Sequence, residues 1–439
     1  MQKEDTSNMK KFLAMILAVA MIATLAACGS QAPSSAPQGG SSEAPPPASS
    51  PQSASAPAPS SEPQTLTLIL RGGSYADVIK AALPEFEAAN NVKCEVLDLA
   101  FDDLHNKIAL DALNPKGAYD LCMVDGSWMA EFTAHNVLAN LSALGYSFDN
   151  DIIPNTTAIC EVDGQIYLAP YFGNVTIMLY NKENVKNAGV DIAGVDSWEE
   201  IMTACKAAAA QGKKGFLLRG DTPDNFVSDF LPLLLAYKGW VIDKDNKPTV
   251  NTPEFKEAMN FYLELIATGE AQSKDDVVAA LDSGAATMGV GWPGWYVPAD
   301  DKAASYIMIP PSAKKGGEKY ATSEYGIWTI GIPQNSEKKE LSMKLLQYIM
   351  SPEVQLASIQ NGGVPCRYSC LQNPEILAKM PHLEIVCNAL ENGVYRPVIE
   401  EWTDFTNILG AEMDNIVNGV KTVDAGLADA QAQLEMLLA

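Results

Sequence analysis

Basic side chains are scarce in this sequence: 30 Lys and Arg stand against 54 Asp and Glu, a formal net charge of −24. Chains that hold nucleic acid gather Lys and Arg into patches or stripes, so this balance argues against such a partner. Histidine is scarcer still. His105, His135 and His382 are isolated from one another, and neither a His-x3-His nor a cysteine-rich zinc spacing occurs. No metal and no cofactor is expected. There is no Gly-x-Ser-x-Gly nucleophile elbow. The Gly-x4-Gly-Lys-Ser/Thr phosphate loop is missing too, so any ATP would be spent by a separate chain. Asp243-Lys-Asp245-Asn-Lys247-Pro has part of a calcium loop without its glycine or closing glutamate, and reads as a surface turn. Catalysis is therefore not expected.

Long apolar runs are also few. One stands at the start: Met9-Lys10-Lys11 precedes Phe12–Ala27, sixteen uncharged residues that end Leu25-Ala26-Ala27 before Cys28. A positive end and a short apolar stretch are the layout of a leader rather than of a membrane span. Residues 1–27 resemble a bacterial lipoprotein signal, starting at Met9, which implies that Cys28 is lipidated and anchors the chain to the membrane. No second such run follows, so nothing beyond residue 28 is expected to cross a membrane. Residues 28–64 are almost wholly Ser, Ala, Pro, Gln and Gly, with Glu43 and Glu62 the only charges. Without large apolar side chains to offset its ordering entropy, this stretch is expected to be a disordered tether.

Cysteines after Cys28 are seven: 94, 122, 160, 205, 366, 370 and 387. The odd count and the absence of Cys-x-x-Cys favour buried free thiols, Cys366 and Cys370 being the only two near in sequence.

What remains after the tether is too long for one core and is expected to form two lobes. From Thr65, strands alternate with helices: Leu66–Arg71, Ala76–Ala89, Lys93–Leu97, Phe101–Leu113, Tyr119–Val124, then a helix after Asp125-Gly-Ser127. That alternation predicts right-handed crossovers and a parallel sheet. Ligands on such sheets lie beyond the carboxyl ends of the strands, which puts Gly72-Gly-Ser74-Tyr75 and Asp125-Gly-Ser-Trp128 on one rim. Further on, Ser197-Trp-Glu-Glu200 forms a capping box, and Thr252-Pro-Glu254 opens the helix Phe255–Ala267. Ala286–Gly291 reads as a strand emptying into Trp292-Pro-Gly-Trp295-Tyr296.

Between the two halves lies Val162–Gly189. Asp163-Gly164 marks a turn, Gln165–Ala169 a short strand, Pro170 its break, and Val175–Tyr180 a strand apolar on both faces. The Pro-Tyr-Phe-Gly-Asn stretch reads as the hinge where the backbone leaves one sheet for another. Gly-Gln-Ile-Tyr-x2-Pro-Tyr followed by Leu-Tyr-Asn-Lys-Glu resembles the inter-lobe segment of family 1 extracellular solute-binding proteins, the receptors of ATP-driven importers. Six further stretches resemble the family in register: Gly72–Tyr75, Asp125–Trp128, the Ala-Met strand into Trp292-Pro293, Tyr325-Gly-Ile-Trp328, Val364-Pro-Cys-Arg367, and Arg396-Pro397 with Glu401-Trp402.

That resemblance covers residues 65–439. It implies an α/β, two-lobed periplasmic-binding-protein-like fold with a hinge and an interlobe ligand cleft. Lobe 1 is expected over 65–173 and 324–372, lobe 2 over 174–323 and 373–439. It further implies a monomeric receptor that closes on a carbohydrate and passes it to the transmembrane permease of an ABC importer. A polyamine or other small-solute receptor of the same fold is an alternative. A secreted glycoside hydrolase is another, since so many carboxylates always offer pairs.

Aromatic rings cover a sugar's apolar face, while carboxylates, amides and Arg bond its hydroxyls. The expected ligand-binding residues are Ser74, Tyr75, Asp125, Trp128, Tyr171, Asn174, Trp292, Trp295, Tyr325, Trp328 and Arg367. Asp125 could equally cap the following helix, Trp328 could belong to the core, and Arg367 could serve a salt bridge. Trp198, Trp240 and Trp402 are expected to be structural.

Overall fold

The computed structural model describes residues 62–295 and 303–439. The expected leader at 1–27, Cys28, the tether up to 61, and Tyr296 lie outside the described residues. Among those described, no helix is long and apolar enough to cross a membrane.

The first lobe begins β1 (Gln64–Arg71), α1 (Ser74–Asn90), β2 (Val92–Leu99), α2 (Phe101–Asp111) and β3 (Leu121–Asp125), followed by the short α3 (Met129–Ala134). β1 pairs in parallel with both β2 and β3, as the alternating pattern requires. It buries Leu66, Leu68, Ile69 and Leu70, apolar on both faces because helices cover both. Gly73, at φ 81, takes a left-handed conformation that lets the chain turn tightly from β1 into α1. A small hairpin, β4 (Glu161–Val162) and β5 (Gln165–Ile166), carries the expected turn, with Asp163 and Gly164 both at positive φ.

β6 (Leu168–Phe172) closes one edge of that sheet and contains Pro170. The expected break at this proline does not occur. On an edge strand the missing N–H has no neighbour to disappoint. The chain then crosses over. Val175 bridges to Tyr325, and β7 (Ile177–Asn181) belongs to a second sheet, so the single strand expected over Val175–Tyr180 is split by the hinge itself.

The second lobe adds α4 (Lys182–Asn187), α5 (Trp198–Ala210), β8 (Lys214–Arg219), α6 (Pro223–Ala236), α7 (Pro253–Ile266), β9 (Glu270–Gln272), α8 (Lys274–Asp282), β10 (Ala286–Gly291) and β11 (Ala304–Ile307). Its sheet runs β11-β7-β10-β8-β9. β12 (Glu324–Tyr325) returns through the hinge, and β13 (Trp328–Gly331) inserts between β3 and β6 of the first sheet. Helices α9 (Lys339–Ile349), α10 (Pro352–Ser358), α11 (Tyr368–Leu371), α12 (Pro374–Lys379) and α13 (Leu383–Asn392) follow. The chain crosses a third time at β14 (Val394–Tyr395) and ends in α14 (Trp402–Val417) and α15 (Val423–Leu437).

Three crossings are laced together. The Thr176 amide donates to the Glu324 carbonyl (2.9 Å), Gly326 donates to Asn174 (3.0 Å), and β12 pairs in parallel with β14. Ile376, Leu383, Val386 and Leu390 of α12 and α13 pack into the first lobe's core, whereas Trp402, Phe405 and Leu409 of α14 pack into the second's. All seven described cysteines are free, Cys366 and Cys370 among them.

Candidate functional site

Both sheets empty toward one cleft, a cavity of about 450 Å³. From the first lobe, the carboxyl ends of three parallel strands supply Arg71 to Tyr75, Phe101 and Asp102, and Asp125 with Trp128. From the second come Arg219 and the loop to Asn225 after β8, Lys274 after β9, and Trp292 and Trp295 after β10. Trp402 and Thr403 at the start of α14 complete that side. The hinge contributes Asn174, Gly326, Trp328 and Arg396. Ser74 on one lobe donates its hydroxyl to the Gly294 carbonyl on the other, at 3.4 Å.

Five of the seven tryptophans line this cavity: 128, 292, 295, 328 and 402. Trp128 lies 4.9 Å from Phe101 and edge-on to Trp328 at 5.7 Å. Tyr75 tilts against Trp328 at 5.4 Å. Across the cleft the Arg219 guanidinium sits 5.0 Å from the Trp295 ring centre, and Arg219 and Arg396 flank Trp292 at 5.9 and 5.8 Å. Cations at this distance from an indole face attract it and so restrain these rings.

Each arginine is anchored from behind. Arg219 donates from Nε (3.0 Å) and Nη2 (2.6 Å) to Asp229, which also accepts the Arg219 amide at 2.7 Å. Burial works against the Arg219 charge, but Asp229 more than offsets it. Arg396 pairs through Nε with Glu324, so the hinge holds a buried ion pair of its own. Asp125 caps a turn and lines the cleft. Its Oδ1 accepts from the amide (3.0 Å) and hydroxyl (2.7 Å) of Ser127, capping the turn, while the residue lines the cleft. Burial raises its carboxyl, with Arg396 pulling the other way.

Eight of the expected ligand residues thus meet at the cleft: Ser74, Tyr75, Asp125, Trp128, Asn174, Trp292, Trp295 and Trp328. Three do not line it. Tyr171 is buried, its hydroxyl donating to the Tyr75 carbonyl at 3.2 Å. Tyr325 braces the hinge by donating to the Leu390 carbonyl and accepting from the Gly393 amide. Arg367 is held by Asp149 and Asp151 and by two bonds to the Met350 carbonyl, so it is a salt-bridge residue. Conversely, Trp402, expected to be structural, lines the cavity, and Arg219 and Arg396 were not expected. Arg219 ends a strand, a position at which the same strand-end rule could have found it.

Residues 72–356 match the family described as bacterial extracellular solute-binding protein. The chain belongs to that family. This solute-binding protein is 23% identical over 451 residues to a diacetylchitobiose binding protein, DasA, of Streptomyces coelicolor, an alignment covering 97% of each. It is 20% identical over 385 residues to a probable amino-acid ABC transporter periplasmic-binding protein, y4oP, of Sinorhizobium fredii, covering 83% of this chain and 87% of that one. The solved structure of maltose-bound T. maritima MalE3 superposes with a TM-score of 0.75 at 22% identity, covering 85% of this chain and 99% of the other. The two-lobed fold with its hinge and cleft is therefore that of the periplasmic binding proteins. Membership also places this solute-binding protein outside the cytoplasm.

The hinge pair is expected to make the stability of the solute-binding protein depend on pH. Burial pushes the Glu324 carboxyl up to about 7 although Arg396 opposes it, and its Oε2 has no hydrogen-bond partner among the described residues. A carboxyl raised in the folded state binds its proton more tightly folded than unfolded. Its contribution is fully present below the ordinary Glu range and is lost as pH rises through about 7. Glu324→Gln, which keeps the protonated shape, is expected to remove that loss. Between about pH 5 and pH 8 the wild type should fall relative to the variant by on the order of 1–3 kcal/mol. Urea titrations at both pH values measure this, and parallel profiles would refute it.

Proposed function

We propose that this extracellular solute-binding protein captures a carbohydrate between its lobes and hands it to the permease of an ABC importer whose ATPase is a separate chain. The observation that carries the reading is the cleft itself. Flat indole faces from both lobes and the hinge are interleaved with Asp125, Asp224, Asn174 and Arg71, the combination that covers a pyranose face and bonds its rim. The named sugar receptors among the relatives support it. A ligand touching both lobes stabilises the closed state by its differential affinity, and closure about a hinge is the motion the handed-over shape requires.

Thermal shift of the purified protein against mono- and oligosaccharides, amino acids and polyamines tests this. A carbohydrate should raise the melting temperature, and a response to amino acids or polyamines alone would overturn the reading. The sugar should come back intact after prolonged incubation, as for a binding protein of this family. A new reducing end would support the hydrolase instead.

The protein acts as a monomer tethered through lipid on Cys28, the cysteine after Leu-Ala-Ala. Stable retention takes more than one acyl chain. Cys28→Ser should move the protein from the membrane fraction to the medium or periplasm, and its persistence in membranes would contradict the anchor.

A further inference from the structure

We infer that the sugar this cleft selects carries a protonated amine, held between Asp125 of one lobe and Asp224 of the other. The inference rests on the carbohydrate reading and sharpens it to amino sugars.

Charge balance in the cleft is the starting point. Four basic and four acidic side chains line it. Behind them, Asp229 is paired with Arg219 and Glu324 with Arg396, so six carboxyl groups face four cations. Of the other two lining cations, Arg71 donates to the Leu99 carbonyl and Lys274 pairs with Asp275 on the exposed rim. Asp224 acts on Arg219, already paired with Asp229, and Asp125 and Asp224 share Arg396, already paired with Glu324. Both act on that guanidinium, and Asp224 in turn opposes the charge of Asp125.

Neither carboxylate is otherwise satisfied. Asp125 spends Oδ1 on Ser127, and its Oδ2 has no hydrogen-bond partner among the described residues. Asp224 sits in the first turn of α6 and makes no hydrogen bond or ion pair among the described residues. A second, independent sign of a missing donor comes from the hinge. Asn174 is 4% exposed and lines the cleft, yet its Oδ1 has no partner. Its amide nitrogen is turned to the Tyr75 hydroxyl at 3.4 Å, so the acceptor end is the one left free.

Closure on a ligand dries this space, and a buried anion without a counter-charge is costly. A hydroxyl can donate one hydrogen bond to a carboxylate but leaves its charge standing. An ammonium offers three donors and cancels charge. Asp125 and Asp224 act on one and the same guanidinium in a cavity lined by indoles, which fits one amine on a ring better than the spaced cations of a linear polyamine.

The test uses three matched β-1,4 disaccharides that differ only at C2, bearing hydroxyl, acetamide or amine, with their monosaccharides, titrated calorimetrically at neutral pH and low salt. The amine form is expected to bind at least tenfold more tightly than either neutral form. Asp224→Asn should cut that ratio to about two, because it removes charge while keeping the side chain's shape. Equal or tighter binding of a neutral form overturns the inference and leaves the carbohydrate reading intact. A linear polyamine binding better than every sugar, or no sugar of a wider panel binding, overturns both. A preference unmoved by Asp224→Asn overturns the assignment to this pair.

Discussion

Asp229→Ala is expected to cost about 3–5 kcal/mol of folding stability, the largest loss of any single polar substitution in the second lobe. Asp229 is fully buried and spends both carboxylate oxygens on Arg219, one on the guanidinium and one on the backbone amide. Truncating it leaves a guanidinium 6% exposed with Asn225 as its remaining close polar partner. The penalty comes from stranding a charge, not from the worth of the pair. The double variant Asp229→Leu with Arg219→Met should therefore recover most of the stability. It should not recover ligand binding, since the cation under Trp295 and Trp292 is gone. Urea denaturation of the single and double variants measures the first claim, and calorimetry the second. A single variant within about 0.5 kcal/mol of wild type would mean that water reaches the guanidinium and that the platform is not rigidly backed.

How much of this was legible in the sequence depends on how local each signal is. The hinge was readable because its marks are consecutive: a Asp163-Gly164 turn, a short strand, then apolar β-formers. Asp125 and Trp128 were readable because a carboxylate and an indole just past a parallel strand fall on the ligand-facing rim whatever the rest of the chain does. Arg367 was not. Its loop fixes where it lies in the chain, but its partners, Asp149 and Asp151, lie 218 and 216 residues away, and they turn it from the cleft. Trp402 misled in the opposite sense. An indole at a helix start is well explained by core packing, and it does pack there, against Phe405 at 5.4 Å. Only the docking of α14 on α6 brings its edge into the cavity. The Glu324–Arg396 pair is invisible in sequence for the same reason, its members being on two different crossings of the hinge.

Trp292→Ala and Trp128→Ala should separate in a way that the sequence alone did not anticipate. Both were expected to bind ligand with little part in the fold. Trp128, 2% exposed, is wedged among Phe101, His105, Phe132 and Trp328, and it belongs to the first core as well as to the cleft wall. Its truncation should cost about 3–5 kcal/mol of stability, as for a core aromatic, in addition to affinity. Trp292 is 3% exposed but belongs to neither core cluster. It lies over Gly326, where any side chain would collide with the ring, and within 6 Å of two guanidiniums that line the cleft, 5.9 Å from Arg219 and 5.8 Å from Arg396. Removing it should weaken binding of the cognate sugar by at least about 2 kcal/mol, roughly thirtyfold, with a smaller loss of stability than Trp128→Ala shows. The decisive comparison is the ratio of the two effects in each variant, by calorimetric titration and by urea denaturation of the unliganded protein. Wild-type affinity in Trp292→Ala would take that indole out of the binding site and leave Trp295 as the second lobe's aromatic wall.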